Sequence, residues 1–129
     1  MRVLALDYGS ARTGVAVCDP TETIVTPLEP VLRAGTRAGM GALAALVSEY
    51  DAGRVLVGLP LSLRGSDTAQ TAEAREFAER LARRLDVPVL MHDERLTTRL
   101  AQRDVSTHAS EDSRAAAHLL EDWLARQAS

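Results

Sequence analysis

The stretch RVLVGLPL at 54–61 is apolar from its second residue to its last. A strand with one wet face alternates polar and apolar side chains. A run this continuous suits a strand covered on both faces, hence a parallel one. The flanking segments offer that cover. Residues 36–50 (TRAGMGALAALVSEY) place Met40, Leu43, Leu46 and Val47 on one helical face. The two glycines in this helix weaken it by about 1 kcal/mol each relative to alanine, and DAG at 51–53 ends it. Residues 68–85 (TAQTAEAREFAERLARRL) repeat Ala74, Phe77, Ala78, Leu81 and Leu85 at helical spacing, with acids and arginines on the other face.

Upstream, RVLALD at 2–7 and TGVAVC at 13–18 are short apolar runs with Gly9, Ser10 and Gly14 between or beside them, which predicts a β-hairpin turning near residues 8–12. A third strand is expected around Ile24–Val31, limited by Pro27 and Pro30. Downstream, DVPVLMHDE at 86–94 is read as another buried strand. RLTTRLAQRD starts a further helix, the polar loop VSTHASED interrupts it, and a last helix is expected over about 112–126. The order β-β-β-α-β-α-β-α-α is an antiparallel meander followed by βα units. It specifies an α/β three-layer domain with a mixed five-stranded sheet and helices on both faces. The chain of 129 residues fits one domain, 1–129.

Three acids end or begin these elements. Asp7 closes the first strand, Glu94 closes the last, and Asp112 opens the C-terminal helix, whose apolar face continues through Ala115, Ala116, Leu119 and Trp123. Ligands of open α/β sheets bind beyond the carboxyl ends of the parallel strands. If the last helix crosses that end, three carboxylates meet. Three carboxylates repel one another unless cations are present. Hard oxygen donors select Mg²⁺ or Mn²⁺, and two such ions roughly 3.5–4 Å apart activate water and stabilise the leaving oxygen in phosphodiester cleavage. Each acid also has a plainer role. Asp7 suits a turn before glycine, Glu94 a helix start, and Asp112 the first turn after Ser110 as N-cap. Asp93 is the rival of Glu94. Strand alternation puts the two on opposite faces, so only one joins Asp7.

The residues expected near that acidic end include Arg12 and Thr13 in the first turn, Arg64, Gly65 and Ser66 at a flexible tip, and Arg95 and Arg99 beyond Glu94. Arg12, Thr13, Arg64, Ser66, Arg95 and Arg99 are therefore candidate phosphate contacts. Arg80, Arg83 and Arg84 share a helix with Glu73, Glu76 and Glu79 and suit a solvated, salt-bridged face. All 15 basic residues are arginine, and the net charge of −3 argues against a passive nucleic-acid coat protein. Aromatics are 3% of residues, and Tyr8, beside Asp7, is the one placed to stack on a base. His92 is assigned to the strand pattern and His108 to a loop. Leu61, Leu63 and the apolar face of a helix at 96–101 are candidate homodimer contacts. A single cysteine, Cys18, allows no internal disulfide and fits a reducing compartment. The start MRVLALDYG reads as a strand rather than a secretory signal, and no run approaches the roughly 18 apolar residues of a membrane helix.

These blocks resemble a known family. LALDYGSARTGVAVCD, VLVGLPLSLRGSD, VPVLMHDERLTT and DSRAAAHLLEDWL, in that order, look like the four motifs of the YqgF family of RNase H-like nucleases, also called Holliday-junction-resolvase-like or pre-16S rRNA nucleases. The resemblance implies an RNase H-like fold, a cytoplasmic location and divalent-metal phosphodiester hydrolysis, with Asp7, Glu94 and Asp112 as metal ligands and catalytic residues. It makes structured RNA, through 16S rRNA 5′-end maturation, the first candidate substrate, and branched or single-stranded DNA the second. The segment before the third acid, STHASE, carries His108 but no basic residue, where the family usually has some. Two other classes remain open. Asp-x-Gly-Ser before a strand is also similar to the first phosphate motif of the actin–hexokinase class, although no second phosphate motif is visible. A non-catalytic nucleic-acid or ribosome-associated adaptor would retain the fold without the chemistry.

Overall fold

The computed structural model describes residues 1–62, 64–94 and 110–127. Strands β1 (Arg2–Asp7), β2 (Arg12–Cys18) and β3 (Val25–Leu32) come first, followed by helix α1 (Arg37–Glu49). Then come β4 (Ala52–Leu59), α2 (Ala69–Arg84), β5 (Val89–Asp93) and α3 (Glu111–Gln127). The sheet order is β3-β2-β1-β4-β5. β2 is antiparallel to β1 and β3, whereas β4 is parallel to both β1 and β5. The expected mixed five-stranded sheet is thus present, with β1 at its centre. The helix expected from 95 lies outside the described residues.

Strand alternation divides the core into two layers. Leu4 and Leu6 of β1, Val15 and Val17 of β2, and Val55 and Val57 of β4 pack with Met40 and Leu43 of α1 and Phe77, Ala78 and Leu81 of α2. Val3, Ala5, Cys18 and Leu56 point the other way, against Leu119, Leu120 and Trp123 of α3. Ala16 meets Ala116 and Ala117 on that second face. Both faces of β1 and β4 are dry, so RVLVGLPL has no polar position after Arg54. This is the burial a parallel strand requires.

The helices begin where side chains satisfy their first amides. The Thr36 hydroxyl accepts from Gly39 N at 3.1 Å and starts α1. In α2, Thr68 and Thr71 form a reciprocal capping box, and the Thr71 hydroxyl also donates to Pro60 O at 2.7 Å. Ser110 Oγ accepts from Ser113 N at 3.1 Å and starts α3.

Two expectations change. DAG does not sit outside the strand: Ala52 and Gly53 already belong to β4, and the chain reverses instead at Asp51, whose φ is 51°. β5 is shorter than expected and is not buried. Leu90 is 36% and Met91 43% exposed, because the strand lies at the sheet edge. An apolar run alone does not distinguish a covered central strand from an edge one. No helix among the described residues is long and apolar enough to cross a membrane.

Candidate active site

Asp7 is the last residue of the central strand and continues the row Val3, Ala5, Asp7 on the α3 face. A glycine stands on each side of it. Gly14 is its partner across the antiparallel pair β1–β2. Gly58 follows Val57, just as Asp7 follows Leu6, the partner of Val57 in the parallel pair. Both glycines make room on the α3 face. A Cβ on Gly14 would lie 1.9 Å from the Asp112 carbonyl oxygen, so the first turn of α3 rests directly on the strand beside Asp7. A Cβ on Gly58 would lie 2.3 Å from Glu94 Oε1, so the Glu94 side chain folds over the strand on the other side.

Alternation explains why Glu94 and not Asp93 joins Asp7. Val89 packs into the α1–α2 layer, which places Met91 and Asp93 on that side by register. Leu90, His92 and the side chain of Glu94 follow the α3 side. Glu94 is half-buried and hydrogen-bonds to the Asp7 carboxyl. Burial, then that hydrogen bond, then the negative charges of Asp7 and Asp93 push the Glu94 carboxyl up to about 9. Beside Asp7 the Glu94 carboxyl thus resists ionisation.

The helix end is held at its own site. Ser113, fully buried, accepts from Val15 N at 3.2 Å through its hydroxyl and so ties the first turn of α3 to β2. Farther along, Asp122 of α3 meets His92 of β5, with Nε2···Oδ2 at 2.7 Å, and accepts from Arg126 Nε at 3.0 Å. Burial opposes ionisation of Asp122, but the hydrogen bonds from His92 and Arg126 outweigh it and hold its carboxyl below the ordinary range.

The structure thus brings Asp7 and Glu94 together and sets the backbone of Asp112 beside them. Among the described residues no three His, Cys, Asp or Glu side chains group closely enough to hold one ion. The expected three-carboxylate cluster is not formed among the described residues: Asp7 and Glu94 meet, and Asp112 lies beside them through its backbone. The donor chemistry fits a divalent cation even so. A half-buried carboxylic acid hydrogen-bonded to a second carboxyl is a site whose charge a cation would relieve, and all three donors are hard oxygens.

The expected nucleic-acid contacts divide. Arg12 is exposed at the start of β2, and Arg64 is exposed beyond the end of β4. Thr13 is a correction: it is fully buried, and its hydroxyl donates to Gly9 O at 3.4 Å, so it closes the β1–β2 turn and faces no solvent. Arg64, Gly65 and Ser66 are all exposed. Ser62 N donates to Ser66 O at 3.0 Å, and the two hydroxyls lie 2.7 Å apart, leaving Ser66 exposed but its hydroxyl engaged. Tyr8 is also corrected. It stacks on Phe77, with ring centroids 4.3 Å apart, on the face opposite Asp7, so no base reaches it there. In α2, Arg75 pairs with Asp67 at 2.9 Å and Arg80 donates to Gly35 O at 2.7 Å, so these arginines brace loops as well as facing solvent. Arg95, Arg99, His108, Leu63 and the segment 96–101 lie outside the described residues; Leu61 is half-buried.

Sequence reasoning missed Gly14, Gly58, Ser113 and the His92–Asp122 contact. The glycines left a signal, since glycine inside a strand marks a close approach by another group. Ser113 and His92 left none, because their partners are distant in the chain.

A mixed sheet of this order, layered between α1–α2 and α3 and ending in paired acids, is an RNase H-like fold. The fold is shared with Thermus thermophilus RuvC at a TM-score of 0.61 and 17% identity, covering 99% of this chain and 97% of that one. It is shared equally, at a TM-score of 0.61 and 10% identity, with a fowlpox virus resolvase solved with Holliday junction DNA, covering 100% of both chains. The family model RuvX, described as Holliday junction resolvase, matches residues 1–126, and the chain belongs to that family. A relative from Maridesulfovibrio salexigens named "Putative pre-16S rRNA nuclease" is 36% identical over 98% of this chain and 99% of its own length. One of the same name from Mycobacterium bovis is 42% identical over 95% of this chain and 78% of its own length.

Proposed function

We propose that this chain is a divalent-metal-dependent nuclease, one domain over 1–129, that hydrolyses phosphodiester bonds in structured RNA at the 5′ end of precursor 16S rRNA. The observation that carries this reading is the half-buried, hydrogen-bonded Asp7–Glu94 pair at the carboxyl end of the central strand. The names of relatives 36% and 42% identical over nearly the whole chain support the RNA substrate. The family description keeps branched DNA as the second substrate. A cytoplasmic location follows from rRNA maturation.

Asp7, Glu94 and Asp112 would hold Mg²⁺ or Mn²⁺, as one ion or two. The chemistry such ions supply when bound is charge neutralisation at the phosphodiester and activation of water. The chain's own residues do the rest. β1 fixes Asp7 without a flexible arm, because Leu4 and Leu6 on one side and Val3 and Ala5 on the other are fully buried. Glu94, set against Asp7, would be the second carboxyl donor to a bound cation, and the positive charge would favour its ionised form. Arg12 and Arg64, exposed at the same end, would bind backbone phosphates and position the strand.

The test is a cleavage panel of precursor 16S rRNA, single-stranded RNA, single-stranded DNA and four-way junctions with Mg²⁺ or Mn²⁺, comparing wild type with Asp7→Asn and Glu94→Gln. Cleavage of the rRNA precursor that both substitutions abolish supports the reading. Activity persisting in both variants or in excess chelator removes it. Faster cleavage of junctions than of the precursor moves the function to DNA.

A further inference from the structure

We propose that the His92–Asp122 contact is a positioning latch that holds β5, and with it Glu94, in register with α3, which carries Asp112. The proposal rests on the metal-centre reading above and adds two residues to it, neither of them a ligand.

The mechanical problem is specific. Among the described residues β5 is an edge strand of the sheet, bonded to β4, and half-exposed at Leu90 and Met91. An edge strand with little burial is the part of a sheet most able to shift or fray. Glu94 lies immediately beyond its last residue, Asp93. Asp112, by contrast, sits on a helix turn clamped to β2 through Ser113 and pressed onto Gly14. The two acids thus ride on elements whose attachments differ in stiffness.

His92 and Asp122 join those elements. Their side chains are 13% and 12% exposed, and Nε2···Oδ2 is 2.7 Å. Arg126 holds the same Asp122 oxygen at 3.0 Å, which steadies the carboxylate in the orientation His92 meets. His92 pairs across the sheet with Gly58, the glycine that Glu94 folds over. One residue row therefore contains the latch, the gap and, just beyond, the acid. The spans also agree. From Ser113 to Asp122 the helix rises about 14 Å, and the three strand spacings from β2 to β5 come to about 14 Å. The helix is pinned at one end to β2 and, a sheet-width away, to β5.

Partners behind metal ligands commonly change metal affinity by about 10–100-fold when removed. The test is Mn²⁺ affinity of the full chain, read by titration calorimetry or by the electron paramagnetic resonance of free Mn²⁺. The variants are His92→Ala, Asp122→Ala, the double variant, His92→Gln and Ala78→Gly. His92→Gln keeps a donor near the position of Nε2. Ala78→Gly weakens α2 on the opposite face and serves as a stability control.

The latch predicts about tenfold weaker Mn²⁺ binding in either single alanine variant and no further loss in the double variant. It also predicts recovery of most of the affinity in His92→Gln and unchanged affinity in Ala78→Gly despite a lower Tm. Wild-type affinity in His92→Ala overturns the latch and leaves the metal centre standing. So does a loss in Ala78→Gly that matches its fall in Tm, since the effect would then be general loosening. Absence of Mn²⁺ binding by the wild-type chain overturns the metal-centre reading itself, and the latch with it.

Discussion

Glu94 occupies the space that a side chain at Gly58 would fill: a Cβ there would lie 2.3 Å from Oε1 and 2.7 Å from Cγ. The atoms that would clash belong to a side chain rather than to backbone, so Gly58→Ala can be relieved by expelling Glu94. We expect the fold to survive, with a stability change of about 1 kcal/mol or less, and nuclease activity to fall at least about tenfold as the acid leaves Asp7. Urea denaturation and cleavage assays on the same preparation separate the two effects. Activity equal to wild type would show that the Glu94 position is not needed.

Gly14→Ala is expected to behave differently, because the obstacle is backbone. The added carbon would sit 1.9 Å from Asp112 O and 2.7 Å from Ser113 N, and α3 must move away as a body. Overpacking of this kind costs about 1–3 kcal/mol, and the Ser113–Val15 hydrogen bond is strained with it. Chemical denaturation should show the larger loss of the two glycine variants. A Gly14→Ala protein as stable as wild type would mean that the first turn of α3 is not held where the structure places it.

The contrast between these glycines shows what the sequence could express. Layer composition was legible. RVLVGLPL announced a strand dry on both faces, and the spacing of Ala74, Phe77, Ala78 and Leu81 announced the face that α2 buries. The pairing of Glu94 rather than Asp93 with Asp7 was legible as a choice of one from two, because alternation permits only one on each face. Thr13 and Tyr8 were misread for a common reason. Proximity to Asp7 in the chain is not proximity to the site, because a strand end turns consecutive residues to opposite faces. Tyr8 went to Phe77, and Thr13 went to its own turn. The exposure of β5 was hidden, since the apolar start of VLMHD does not record whether a further strand lies beside it.

Thr71 links the end of β4 to α2. It is fully buried, caps α2 together with Thr68, and donates to Pro60 O. Thr71→Val keeps the shape and removes the hydroxyl, leaving the Pro60 carbonyl and Thr68 N without this partner. The expected loss is about 1–3 kcal/mol, visible as a lower denaturation midpoint with an unchanged slope. Thr71→Ser, which retains the hydroxyl, should recover most of it. Equal stability of the valine and serine variants would assign the position to packing alone.

Arg12 and Arg64 are exposed near the carboxyl end of the central strands. If they contact phosphates, Arg12→Ala and Arg64→Ala should each weaken binding of a cleavage-blocked RNA. Each should also lower the slope of log affinity against log salt by about 0.7–0.9. Glu49→Ala, on α1 away from that end, should leave the slope unchanged. Slopes identical in all three variants would place the nucleic acid elsewhere.

The Glu94 carboxyl gives the metal-free protein a pH dependence whose sign is fixed. Its value in the fold, about 9, lies above the ordinary 4.5. The folded state therefore binds this proton more tightly than the unfolded chain does. The resulting stability is fully present below pH 4.5, declines as pH rises between the two values, and is gone above about 9. Urea midpoints measured in chelator at pH 5, 7 and 9 should fall in that order. Glu94→Gln, which cannot ionise, should flatten the decline. Mg²⁺ or Mn²⁺ should oppose it in the wild type, since a bound cation favours the ionised acid that the empty fold resists. A midpoint independent of pH in chelator, or one that rises toward pH 9, would mean that Glu94 is not held against Asp7 in the folded protein.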